Sequence, residues 1–191
     1  GRVGLPIGQT IARIVDPDTL RPVPDGAVGE IVVAGPQVIA GYWRNPDADR
    51  EAFCHVEGLR MLRTGDLGLR DRDGFFAVVD RLKRMINASG FKVWPAEVEA
   101  VLVGHEAVQA ACVVGVPGPY RGETVRAVVV LAAGREVTAA ALQAWLRRRL
   151  AAFKVPREIV FTDALPLSAT NKVEWRALQA AAKTESGDLP P

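Results

Sequence analysis

Three short stretches of this chain carry residues whose types could do chemistry. In DRLKRMINASGFKVWPAEVE, residues 80–99, four cations (Arg81, Lys83, Arg84 and Lys92) crowd around an apolar turn that contains Gly90. Arginine offers a planar fork of donors and lysine a mobile point charge, a combination suited to a phosphate-bearing ligand. A solvated basic turn has the same composition. In RTGDL, residues 63–67, Asp66 sits in a tight glycine turn after an apolar strand. Its two oxygens can accept from both hydroxyls of a ribose, or can bond the backbone of the turn itself. In LPLSATNKVEWRAL, residues 165–178, Lys172 occupies a polar loop. An ammonium group on such a loop can reach a neighbouring site and oppose developing negative charge, although most lysines are simply surface charge. Taken singly, each stretch leaves both readings open.

The elements that must position these residues change character along the chain. Up to about Asp80 the sequence is β-rich. IARIVD and GEIVVAG read as strands, and LRMLRTGDLGLRDRDGFFAVVD reads as a hairpin turning at Asp73–Gly74. Between them NPDADREAF offers Asn45 as a cap and Pro46 at the first position of a short helix. After Arg81 helices and strands mix. WPAEVEAVLVGH places Val98, Val101 and Leu102 on one helical face with Pro95 at the start. AVQAACVVGVP, TVRAVVVLA and REIVFTDALP read as strands, TAAALQAWLRRRL as a helix capped by Thr138, and KVEWRALQAAAK as a last helix. The expected fold is therefore α+β: a β-rich part over residues 1–80, a small α+β part over 81–183 and a flexible tail over 184–191. The cationic stretch lies on the seam.

Composition removes several classes of function. The chain has 191 residues, 49% hydrophobic and 24% charged, which suits a globular protein with a real core. A net charge of +2 gives no reason to expect a nucleic-acid partner. Cys54 and Cys112 form no framework, and His55 and His105 stand alone, so no protein-built metal site is expected. No apolar run reaches the roughly 20 residues of a transmembrane helix, and a reduced, cytoplasmic setting follows. The opening GRVGLPIGQT reads like the middle of a strand-rich region, so a piece of a longer chain is expected.

In order, GEIVVAGPQVIAGYWRNP, RTGDLG, VVDRLKRMINASGFKVWPAEVEAVL and LPLSATNKVEWRAL resemble successive signature segments of the adenylate-forming enzymes, in particular the acyl-CoA synthetases. The resemblance implies an enzyme that joins a carboxylic acid to AMP using ATP and Mg2+ and then passes the acyl group to the thiol of CoA. It implies that the β-rich part is the barrel-like end of a large AMP-binding domain, followed by a small carboxy-terminal domain that rotates between the half-reactions. Asp66 then matches the acid that holds the ribose hydroxyls, and Arg81 the arginine that also contacts the nucleotide. Lys83 falls on the hinge. Ser89, Gly90 and Phe91 match the turn that approaches the pantetheine arm of CoA. Lys172 matches the lysine that bridges the acid substrate and the α-phosphate.

Three positions depart from the family pattern: Asn171 stands where a glycine is usual, Asn87 where some aryl-CoA ligases carry lysine, and Leu62 where an aromatic is common. Asparagine tolerates positive φ better than most residues, which would keep the Lys172 loop viable. The phosphate-gripping loop and the acid that helps hold Mg2+ are expected in a missing amino-terminal part, so this chain alone is not expected to adenylate. An apolar face left uncovered by that part could drive self-association. A fatty acid is the first substrate expected, with an aryl acid second. The alternatives are a non-catalytic interaction module of the same descent, or a plain nucleotide-binding domain, which leaves the Lys172 loop unexplained.

Overall fold

The computed structural model describes residues 2–118 and 122–187, with the side chains of 185–187 left aside. The chain folds as two compact units, Gly1–Lys83 and Arg84–Pro191.

In the first unit the strands are β1 (Arg2–Gly4), β2 (Ile11–Val15), β3 (Gly29–Ala34), β4 (Phe53–Val56), β5 (Leu59–Arg70) and β6 (Phe76–Arg81), with the short helix α1 (Pro46–Ala52) before β4. They make one six-stranded antiparallel sheet in the order β1-β6-β5-β3-β2, with β4 folded back on the start of β5. α1 begins where the sequence predicts: Asn45 accepts the Ala48 N–H at 3.1 Å, and Pro46 opens the first turn. The strands bury Val15, Val32, Cys54, Val56 and Met61 together. The β5–β6 connection is a five-residue loop around Gly74, tied by Asp71 Oδ1, which accepts from the N–H groups of Asp73 and Phe75. The β4–β5 hairpin, turning at Glu57 and Gly58 with both at positive φ, is an element that the sequence reading did not separate.

The second unit begins with a two-stranded ribbon, β7 (Ile86–Ala88) and β8 (Phe91–Val93). There follow α2 (Pro95–Val103), β9 (Val108–Pro117), β10 (Glu123–Leu131), α3 (Ala139–Arg147), β11 (Glu158–Phe161) and α4 (Trp175–Gly187). β9 and β10 pair antiparallel, and β11 joins the other edge of β10 in parallel. The strand pleat divides this unit into layers. Val113 on β9 and Val125, Ala127 and Val129 on β10 pack with Val98 and Leu102 of α2, Leu142 and Leu146 of α3, and Ile86 and Val93 of the ribbon. The alternate residues of β9, Cys112, Val114 and Val116, pack with Ala182 and Leu178 of α4 and with Leu165, Val173 and Trp175. Burial on both faces explains why β9 and β10 read as continuous apolar runs.

Two boundaries differ from the sequence reading. The units divide after Lys83, because β6 runs to Arg81 and a single 3-10 turn, Leu82–Arg84, follows. α4 starts at Trp175, three residues later than predicted, and continues to Gly187, so 184–187 are helix. The rest of the expected tail, 188–191, lies outside the described residues.

Candidate functional site

RTGDL does not form a turn at the end of a strand. It lies inside β5 as a bulge. Glu30 on β3 pairs with Leu67 and Val32 pairs with Arg63, so Thr64, Gly65 and Asp66 together face the single residue Ile31. Gly65 takes φ of +70°, which a side chain would resist, and this lets the strand eject its extra residues. The bulge is tied at every residue. Thr64 Oγ1 donates to the Ile31 carbonyl at 2.7 Å and accepts from the Asp66 N–H at 3.1 Å. Arg63 donates from Nε and Nη2 to Glu30 Oε2 at 2.9 and 2.6 Å, and the Gly65 N–H donates to Glu30 Oε1 at 3.2 Å. Glu30 is only 1% exposed. This buried carboxylate is the anchor of the bulge, and the sequence reading missed it. A lone acid at the head of the apolar run GEIVVAG was the available signal.

Asp66 and Arg81 are brought together. They face each other across β5 and β6 and form an ion pair, Arg81 Nε lying 2.6 Å from Asp66 Oδ1. Both remain accessible, with side-chain exposures of 29% and 67%, and the carboxylate has acceptor capacity beyond the ion pair. Lys83 is exposed and ends the first unit.

Not all of the cationic cluster faces outward. The Arg84 side chain is 17% exposed. It bonds Glu99 of α2, which also accepts the β9 N–H of Val113 at 2.8 Å, and its guanidinium lies 6.0 Å from the Trp175 ring centre. Arg84 thus ties the first residues of its unit to α2 and α4, and an arginine with that many internal partners is a structural one.

Ser89 and Gly90 form the two-residue turn of the ribbon, with φ of +54° and +92°. This is the geometry of a tight hairpin with two left-handed positions, which explains the glycine. Asn87 closes the turn: its Oδ1 accepts the Gly90 N–H at 2.9 Å, and its own N–H donates to Glu123 Oε2 at 3.1 Å. Asn87 therefore braces the turn through these two bonds. Phe91, 56% exposed, stacks on Phe153 with ring centres 4.7 Å apart. Ser89, Phe91, Glu123, Phe153 and Arg157 line a cleft of about 340 Å³.

Lys172 is exposed on a tight loop closed by the Leu167–Val173 bridge. The Ser168 N–H donates to the Lys172 carbonyl at 2.8 Å, and the Lys172 N–H donates to Ser168 Oγ at 3.2 Å. Asn171 has φ of +59°, the left-handed conformation that its usual glycine would supply. This loop packs on the α4 face of the sheet through Leu165, Val173 and Trp175, whereas the ribbon carrying Ser89, Gly90 and Phe91 packs on the α2/α3 face. The two segments lie on opposite sides of one small unit. Among the described residues no three or more His, Cys, Asp or Glu side chains cluster as a metal site.

Residues 1–43 match the family described as AMP-binding enzyme, and residues 97–172 match the AMP-binding enzyme C-terminal domain. The chain is 46% identical over 173 residues to a feruloyl-CoA synthase from Amycolatopsis, covering 91% of this chain and 34% of the synthase. It is 43% identical over 178 residues to a long-chain-fatty-acid–CoA ligase from Bacillus subtilis, covering 93% and 31%. The crystal structure of ATP-bound MatB from Rhodopseudomonas palustris superposes with a TM-score of 0.88 at 36% identity, over 96% of this chain and 36% of MatB.

The chain belongs to the adenylate-forming enzymes. It spans about a third of the length of the curated relatives it matches. The α+β class expected from the sequence is the class observed.

Proposed function

We propose that this chain is part of an ATP-dependent acyl-CoA synthetase, which activates a carboxylic acid as acyl-AMP and transfers the acyl group to CoA. The observation that carries the reading is the placement of the Lys172 loop and the Ser89–Phe91 turn on opposite faces of one small unit. A mobile domain built this way offers one face to adenylation and the other to thioester formation. In this reading Asp66 accepts the ribose hydroxyls while Arg81 holds its other oxygen and contacts the nucleotide. Lys172 opposes the charge that builds as the carboxylate attacks the α-phosphate. Lys83 is the hinge, and Ser89, Gly90 and Phe91 line the path of the pantetheine arm. In this reading a Mg2+ ion accompanies ATP and would neutralise phosphate charge, its ligands supplied by residues outside this chain.

A fatty acid remains the first substrate proposed. The identity to a feruloyl-CoA synthase supports an aryl acid as the second. Among the described residues no helix is long and apolar enough to cross a membrane, and both cysteines are buried thiols; a cytoplasmic setting fits reduced thiols.

The test uses the full-length protein with short, long and aromatic acids. Lys172→Ala is expected to lower ATP-dependent pyrophosphate release by about 10²–10³-fold, the scale for losing one preorganised charge-stabilising group. Thioester formation from supplied acyl-AMP should persist. Absence of AMP formation with every acid class, or equal loss in both half-reactions, would refute the reading.

A further inference from the structure

The structure assigns a positioning role to the Glu97–Lys154 ion pair: it sets the Phe91–Phe153 stack and thereby holds the Ser89–Gly90 turn in place for thioester formation. This inference rests on the acyl-CoA synthetase reading above. Lys154 Nζ donates to both carboxylate oxygens of Glu97 at 2.7 Å. The pair is only partly open to solvent, with side-chain exposures of 22% for Lys154 and 36% for Glu97.

What gives the pair its reach is the chain on either side of each partner. Glu97 lies in the first turn of α2, which follows β8 through Trp94 alone, so it shares one short segment with Phe91. Lys154 closes the single 3-10 turn Ala152–Lys154, so it is the direct neighbour of Phe153. Segment 91–97 is therefore fastened to segment 152–154 twice, once by the rings at 4.7 Å and once by the ion pair. The Lys154 ammonium also lies 5.8 Å from the Phe153 ring centre, which restrains that ring directly. The ring clasp itself lines the cleft of about 340 Å³, beside Ser89. Glu123 already holds the β7 side of the turn through the Asn87 N–H, and the ion pair supplies the matching restraint on the β8 side. Neither Glu97 nor Lys154 lines that cleft, so each acts through Phe153 and Phe91 and is not itself a catalytic residue.

The full-length protein is compared with Glu97→Gln and Lys154→Met, and with Lys154→Arg as the conservative replacement. In the first two, KM for CoA should rise roughly tenfold, a fraction of what full misplacement of a reacting group costs, with the adenylation half-reaction unchanged. Lys154→Arg, which can still reach the carboxylate, should restore most of the loss. Hydrogen exchange at the Gly90 and Phe91 amides should quicken in the two disrupting variants. That readout needs no activity, so it decides the positioning claim even if the protein proves to make no thioester, an outcome that would refute the functional reading separately. Unchanged exchange together with unchanged KM for CoA would overturn the inference. So would equal losses in both half-reactions accompanied by a lowered melting temperature, because the pair would then be supporting the fold alone.

Discussion

Replacing Glu30 should cost the first unit much of its stability, and the structure allows the size to be worked out. Glu30 is 1% exposed and accepts two hydrogen bonds from Arg63 and one from the Gly65 N–H. Glu30→Met removes all three and leaves the guanidinium with only the Pro17 carbonyl at 3.2 Å among the bonds of that pair. Breaking a buried ion pair from one side costs about 3–5 kcal/mol. The Arg63 side chain is 27% exposed and can recover some hydration, so the lower end applies, about 3 kcal/mol. Removing both partners in Glu30→Met/Arg63→Met leaves no uncompensated charge, so the double variant should be far less unstable than the sum of the single ones. The coupling expected is about 2 kcal/mol, read from a double-mutant cycle on thermal unfolding of the full-length protein. Because the same carboxylate anchors the bulge that carries Asp66, KM for ATP should rise in both variants lacking Glu30 even where stability recovers. Additivity within about 0.5 kcal/mol, the behaviour of independent sites, would refute the reasoning.

Three further outcomes are expected. Arg81→Ala should change unfolding stability by under about 1 kcal/mol, since the Arg81–Asp66 pair is well exposed, yet raise KM for ATP. A large stability loss with unaltered KM would contradict the proposed nucleotide role. Asn171→Val forces a β-branched residue into φ of +59°, at a local cost of about 1–2 kcal/mol, so adenylation should fall while thioester formation from acyl-AMP continues; Asn171→Gly should be nearly neutral. Burial raises the Cys54 thiol above its ordinary pKa, with Arg63 drawing it down and Glu30 pushing it up again. The unfolded chain therefore ionises first as pH rises. The stability this contributes is complete below the unfolded thiol's pKa and is lost as pH climbs through the folded one. Alkaline unfolding of Cys54→Ala should lack that decline, and curves of the same slope for both proteins would count against the thiol's part in it.

Local rules explain why some elements could be read from the sequence and others could not. α1 and α3 begin at Asn45 and Thr138 because a side-chain oxygen and the chain's own N–H groups meet within three residues. α2 shows its buried face at Val98 and Leu102 for a similar reason, since helical spacing is a short-range property. The β4–β5 hairpin escaped notice because its turn, Glu57–Gly58, lacks the usual asparagine or aspartate at the first left-handed position. The bulge in β5 escaped for a deeper reason. TGD has the composition of a turn, and only the pairing of Val32 with Arg63 and Glu30 with Leu67 reveals that the strand continues on both sides of it.

The same distinction separates the site residues. Asp66, Arg81, Ser89, Gly90 and Lys172 entered the proposed site through the order of the family motifs that carry them, since each stretch taken singly left both readings open. The partners of Glu30, Glu97, Glu99 and Glu123 were not visible, although each carboxylate fixes a segment of the proposed site or its neighbour: the Asp66 bulge, the 3-10 turn beside Phe153, Arg84 and the ribbon at Asn87. All four act across sequence separations of 15 residues or more, beyond the range of any local pattern. Arg84 marks the limit from the other side. Its charge looked like part of a phosphate-facing cluster, but Glu99 and the Trp175 ring hold it inside the fold. A cation's type can suggest a ligand, but whether the cation is free to meet one depends on which acid the fold has placed beside it. That accounts for the difference between Arg81 and Arg84, three residues apart in one basic run. Asp66 pairs with Arg81 where both stay accessible, and Glu99 holds Arg84 where each is less than a fifth exposed.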